Sequence, residues 1–88
     1  MRAVLTVIGQ DKVGIVAGVS TQLAELNLNI VDMTQTIMQD FFTMMMMLEV
    51  PEDVDYEVLR QALDTCGETL GVKITIQNEA IFDAMHKL

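Results

Sequence analysis

The sequence has one cysteine, one proline, no tryptophan, and five basic side chains set against thirteen acidic ones in 88 residues. A lone Cys66 cannot build an internal disulfide framework, and no second thiol or histidine stands near it in sequence to suggest a metal site. That pattern favours a reducing, cytoplasmic setting. The formal net charge of -8 makes a surface that repels phosphate backbones and anionic lipid, so nucleic acid and membrane are not expected partners. The longest unbroken apolar run, residues 44–48, is too short for a signal-sequence core or a bilayer span of roughly 20 residues.

Enzymatic machinery is equally sparse. The only histidine, His86, lies near the end of the sequence on what reads as a surface helix, a poor place for a general acid or base. Gly9 and Gly14 have the spacing of a phosphate loop, but Ile15 and Val16 stand where such a loop requires Lys and Ser or Thr. Consecutive methionines on a strand alternate faces and do not converge on a copper ion, so residues 44–47 read as strand interior. Phe41 and Phe42 have no basic neighbours of the kind an RNA-binding sheet uses. The expectation is a protein that is not an enzyme, with no cofactor and no metal.

What is present is an ordered alternation of periodicities. Residues 2–8 alternate as a strand, apolar on both faces. Ile15, Val19, Leu23 and Leu26 then recur on one stripe of a helix over 13–26, which Asn27 is suited to end in the left-handed conformation. Residues 30–38 form a strand with a wet side of Asp32, Thr34 and Thr36 and a dry side of Val31, Met33 and Ile37. Gln39-Asp40 breaks it from a second strand over 41–50, giving a hairpin. That strand, like the first, is apolar twice over. Asp53 or Asp55 can cap a second helix carrying Tyr56, Leu59, Leu63, Cys66 and Leu70, which Gly71 stops. Residues 72–77 make the clearest one-sided strand, and Asn78 can cap a last helix with a stripe of Ile81, Phe82, Met85 and Leu88.

Strand, helix, strand, strand, helix, strand is the order of the ferredoxin-like split βαβ fold, an α+β sandwich. Its antiparallel sheet runs 4-1-3-2, so the first and third strands are central, as their two apolar faces require. The whole chain, residues 1–88, makes one domain, with a core over 1–77 and an extra C-terminal helix over 78–88. Two helices cover one face of the sheet. The other needs either the C-terminal helix or a second copy, because several large side chains left wet would each forgo about 1.5 to 3 kcal/mol. A homo-oligomer, most simply a dimer, is expected.

The junction of the first strand and helix is the candidate site. Gly9, Asp11, Val13, Gly14 and Ile15 surround a helix start whose unpaired N–H groups suit a carboxylate. Asp11 also reads simply as an N-cap, with Gly9 and Gly14 serving the turn. Gly18, one turn beyond Gly14, suggests a close backbone approach or packing on the sheet.

The run Asp11-Lys12-Val13-Gly14-Ile15, then Leu23-Ala24-Glu25, then Leu28-Asn29-Ile30 resembles the ACT domain family, small ligand-binding regulatory modules of ferredoxin-like topology. The chain is similar to stand-alone members and to the domains of the glycine cleavage system repressor, an impression strengthened by residues 81–86. The resemblance implies allosteric regulation by a small molecule, most often an amino acid, held where subunits join. By position, the loop of Gly9, Asp11, Val13, Gly14 and Ile15 from one subunit would face Asn29 and Ile30 of its neighbour. Backbone N–H groups near Val13, Gly14 and Ile15 would take the carboxylate, and Asp11 the ammonium. The chain departs from the family in carrying Val13 for the common proline, Asn27 for a glycine, and Gly9 and Asp11 where serine-binding members have histidine and asparagine. The rival expectation is an interaction and oligomerisation module that docks to a target protein and binds no small molecule.

Overall fold

The computed structural model describes residues 1–10 and 13–80. Its elements, in chain order, are β1 (Arg2–Gln10), α1 (Ile15–Glu25), β2 (Asn29–Met38), β3 (Phe41–Glu49), α2 (Tyr56–Leu70) and β4 (Val72–Asn78). The four strands form one antiparallel sheet in the order β2-β3-β1-β4, the arrangement expected from the sequence.

The ends of the helices follow local chemistry. Asn27 is left-handed (φ 64) and closes α1 with two reversed bonds, its own N–H to the Ala24 carbonyl and the Leu28 N–H to the Leu23 carbonyl. The Asp55 carboxylate caps α2 by accepting from the N–H groups of Glu57 (3.0 Å) and Val58 (3.4 Å), and Gly71 (φ 73) ends that helix. Asn78 accepts from the Ala80 N–H at 2.8 Å, as a capping residue would. Of the helix expected over residues 78–88, residues 79 and 80 are helical and residues 81–88 lie outside the described residues.

Ala3, Leu5 and Val7 of β1, Phe42, Met44, Met46 and Leu48 of β3, and Ile74 and Ile76 of β4 point to the helices and are buried with Ile15, Val19, Leu23, Leu59 and Leu63. The opposite face is graded. Val4 is buried, Thr6, Met45 and Met47 are half-buried, and Ile8 and Phe41 are 50% and 57% exposed. Central position thus buries one face of β1 and β3 fully, and the second apolar face only in part.

The sequence reading errs most at β2. Met33 and Ile37 share the helix-facing side with Met46 and Phe42, and Asp32, Thr34 and Thr36 lie opposite, as expected, but no residue of the strand is buried, so that side is not dry. A bulge between Ile30 and Asp32 also takes Val31 out of step with Met33. The helical layer lies towards the other edge of the sheet, where α2 packs on β4 with α1 beside α2. A Cβ on Gly67 would come within 2.7 Å of the Val72 carbonyl oxygen, so the absent side chain is what lets α2 lie so close. Gly18 serves α1 differently from the expectation. Its neighbour is the Leu70 side chain of α2, not a backbone and not the sheet. The helical layer is therefore drawn towards β4, and β2 extends beyond it.

These contacts set three expected stabilities, measurable by urea denaturation. Gly67→Ala meets backbone that cannot yield and costs about 2 kcal/mol despite alanine's better helix propensity. Gly18→Ala meets only leucine methyl groups and stays within about 0.5 kcal/mol of the parent. Met46→Ala costs about 2 to 5 kcal/mol, whereas Met45→Ala costs less than half as much.

Candidate functional site

Of the sequence-derived site residues, Gly9, Val13, Gly14 and Ile15 gather at one end of the sheet. Gly9 lies inside β1, which runs on to Gln10, and is not part of a turn. Its missing Cβ makes room for Val72 of β4, whose Cγ1 would otherwise stand 2.7 Å away. The turn is made by Gly14, left-handed at φ 91, with open space where a side chain would project. Gly14 is also the N-cap of α1, a correction to the reading of Asp11 in that role, and a glycine has no side chain to cap with. Its carbonyl closes the first bond of the helix, accepting from the Gly18 N–H at 2.8 Å. The N–H groups of Ile15, Val16 and Ala17 precede that first helical bond, and α1 has no acidic residue in its first turn. Such a terminus has a positive bias, and among the described residues its first turn holds no acidic side chain to meet it. Val13 is wholly exposed beside it, while Ile15 is only 2% exposed and its side chain belongs to the core. Asp11 lies outside the described residues.

Asn29 and Ile30 lie elsewhere. Asn29 pairs with Glu49, which pairs with Arg2, whereas Gly9 pairs with Phe42 and Gln10 with Phe41 at the other end of the same strands. Seven residues of strand, about 23 Å, separate the two groups within one chain. The single chain therefore brings together the helix-terminus half of the site and leaves the Asn29 half at the far end of the sheet. Both Asn29 and Ile30 are exposed.

The comparisons with known proteins bear on this arrangement. The family model described as ACT domain matches residues 2–77. The chain belongs to the ACT domain family. A UPF0237 protein of Streptococcus mutans is 56% identical over 88 residues and covers all of both chains. A solved ACT domain protein from Streptococcus pneumoniae superimposes with a TM-score of 0.85 at 51% identity, covering 98% of each chain. A solved structure assigned to a glycine cleavage system transcriptional repressor shares the fold, with a TM-score of 0.78 at 17% identity, over 86% of this chain and 45% of that one. ACT domains are generally regulatory modules that bind small molecules, and this ACT domain has their βαββαβ layout.

Elsewhere in this ACT domain, no described polar or charged side chain is buried, no group of His, Cys, Asp and Glu among the described residues could hold a metal ion, and no described helix is long and apolar enough to cross a membrane. Among the described residues, the environment shifts the titration of two groups. Burial pushes the Tyr56 hydroxyl up, with Arg60 pulling it down and Glu57 adding to the rise, and that hydroxyl donates to the Ile76 carbonyl at 3.0 Å. Burial also pushes the Cys66 thiol up, and the Glu25 carboxylate adds to the rise. Cys66 lines a groove between α1 and α2 together with Gly18, Thr21 and Leu70. Sequence reasoning missed the cleft beside Tyr56 because its walls come from α2 and β4, which only the tertiary fold makes adjacent.

A raised thiol pKa means less thiolate at any given pH below it, and the thiolate is the nucleophile. Cys66 in the folded protein is therefore expected to react with iodoacetamide more slowly at pH 8 than a cysteine in a short unstructured peptide. Its rate should keep rising with pH beyond the point where the peptide's has levelled. Equal profiles would contradict the assigned environment.

Proposed function

We propose that this ACT domain is an amino-acid-binding regulatory module that works in the cytoplasm as a homo-oligomer, with its ligand held between two copies. The observation that carries the reading is the separation within one chain of residues 9–15 from Asn29 and Ile30, combined with a ten-residue edge strand exposed along its whole length. An edge of this kind presents a row of unpaired N–H and C=O groups, and β2 bears no lysine and no proline to discourage pairing. Antiparallel pairing of β2 with its own copy, about a two-fold axis perpendicular to the sheet, brings the Asn29 end of one strand beside the Met38 end of the other. Met38 is opposite Phe41 and Phe41 opposite Gln10, so that is the end where Gly9 and Gly14 lie.

At such a junction the N–H groups of Val13, Gly14 and Ile15 take the ligand carboxylate, helped by the helix dipole, and Asp11 accepts from its ammonium group. The Asn29 side chain of the second copy, able to donate and accept at once, bridges to the ligand, with Ile30 beside it. Because occupancy ties two copies together, ligand binding and association are linked, and each strengthens the other by the same factor. No catalytic step, metal or cofactor is required.

A thermal shift scan against the twenty amino acids tests this directly. A ligand present at about 100 times its dissociation constant adds roughly 2.7 kcal/mol, and each kcal/mol moves a domain of this size by about 4 to 8 °C. A selective rise, lost in Asn29→Ala and accompanied by a dimer in light scattering, is the expected result. A flat scan from a protein that still dimerises would instead favour an interaction module docking to a target protein.

A further inference from the structure

A second cleft, of about 660 Å³, opens at the opposite margin of the sheet from β2, between α2 and β4. It is formed within one chain and shares no residue with the junction discussed above. Leu63, Ile74 and Ile76, all buried residues, line it, with Tyr56 beside them. The volume falls within the roughly 300 to 1,000 Å³ of small-molecule sites, which are apolar with a few placed polar groups.

The polar groups here are unusual for this chain. Arg60 and Asp64 both line the cleft, one turn apart on α2. Among the described residues Arg60 is the single basic side chain of the two helices. Its partner is Glu57 at 3.3 Å, in a pair whose two members are more than half exposed, and a surface pair of that kind is weak enough to exchange for a better acceptor. A bare anion would meet Asp64 and Glu57 beside Arg60 in a chain of net charge -8, and a bare cation would meet Arg60. A molecule carrying both charges at one end satisfies both. The cleft is poorly suited to an added β-strand, because the Tyr56 hydroxyl already occupies the Ile76 carbonyl of β4.

We propose that this cleft binds a small zwitterion with an apolar body, of the class of an amino acid with a branched or aromatic side chain. The Arg60 guanidinium receives the carboxylate, the Asp64 carboxylate receives the ammonium, and the hydrocarbon lies over Leu63 and Ile76 against Tyr56. The contact joins α2 to β4 and thus acts on the fold of a single chain, independently of association through β2.

The test is a titration of the full-length protein, followed by amide correlation spectra, with L-leucine, L-phenylalanine, 3-phenylpropionate and 2-phenylethylamine. Saturable shifts are expected at residues 56–64 and 75–78 with the two amino acids, and about tenfold or more weaker binding of each one-charge analogue. Arg60→Gln should erase the advantage of phenylalanine over 2-phenylethylamine, and Asp64→Asn its advantage over 3-phenylpropionate. Both side chains are exposed, so the variants should give the parent's spectrum without ligand. Shifts confined to residues 9–15 and 29–30 would overturn this proposal and support the junction between copies. Shifts confined to the cleft would do the reverse. Unaltered affinity in both variants, or no saturable shift at the cleft, also overturns it.

Discussion

The close approach of α2 to β4 at Gly67 fixes the helical layer to one margin of the sheet. With hydrogen in place of a side chain, the helix settles on the Val72 backbone, and α1 follows it through the contact of Gly18 with Leu70. The helical cover is off-centre. β4, β1 and β3 bury their inner faces, whereas β2 pairs with β3 alone and has no buried side chain. The two margins of the sheet therefore differ. The edge at β2 is bare, and the edge at β4 has a helical wall, with the cleft of Tyr56, Arg60 and Asp64 along it.

Charge is distributed to match. Glu25, Glu57, Asp64 and Glu68 lie on the helices, with Glu52, Asp53 and Asp55 in the connection before α2, against one arginine. The outward face of the sheet carries Arg2 and Lys73 against Glu49 and Asp32, and Arg2 meets Glu49 at 3.1 Å. The excess negative charge is therefore carried by the helical side. Two copies joined edge to edge keep their acidic layers side by side and outward, where water and salt screen them, while the neutral sheet face stays available to apolar contact.

Element order, the capping by Asp55, the left-handed Asn27 and the helix stop at Gly71 could be read from the sequence because each depends on chemistry local to a few residues. The order of strands was legible too, since only central strands tolerate two apolar faces. β2 was misread for a physical reason. An apolar residue on an uncovered edge strand and one buried under its own helix look alike in a sequence, and the bulge at Val31 leaves no mark in the alternation. The glycines were assigned the right general purpose and in part the wrong neighbours. Gly14 makes the turn, but Gly9 accommodates Val72 and Gly18 accommodates Leu70, across distances in sequence that no local pattern encodes. Half of the candidate site was visible as a motif at a helix start. That its other half stands at the far end of the sheet is a property of strand direction and needed the register.

The methionine-rich hairpin sorts its sulfur atoms by access to solvent. Met44 and Met46 are sealed under the helices, while Met33 and Met38 on the uncovered strand are 44% and 70% exposed. Oxidation to the sulfoxide turns a flexible apolar side chain into a polar one and proceeds where oxidant can reach. In an isolated chain peroxide therefore strikes the edge strand first and leaves the interior intact, so chemical damage alters the surface that meets other molecules well before it threatens the fold. The same hairpin is thus a durable core on one strand and an oxidant-sensitive rim on the other.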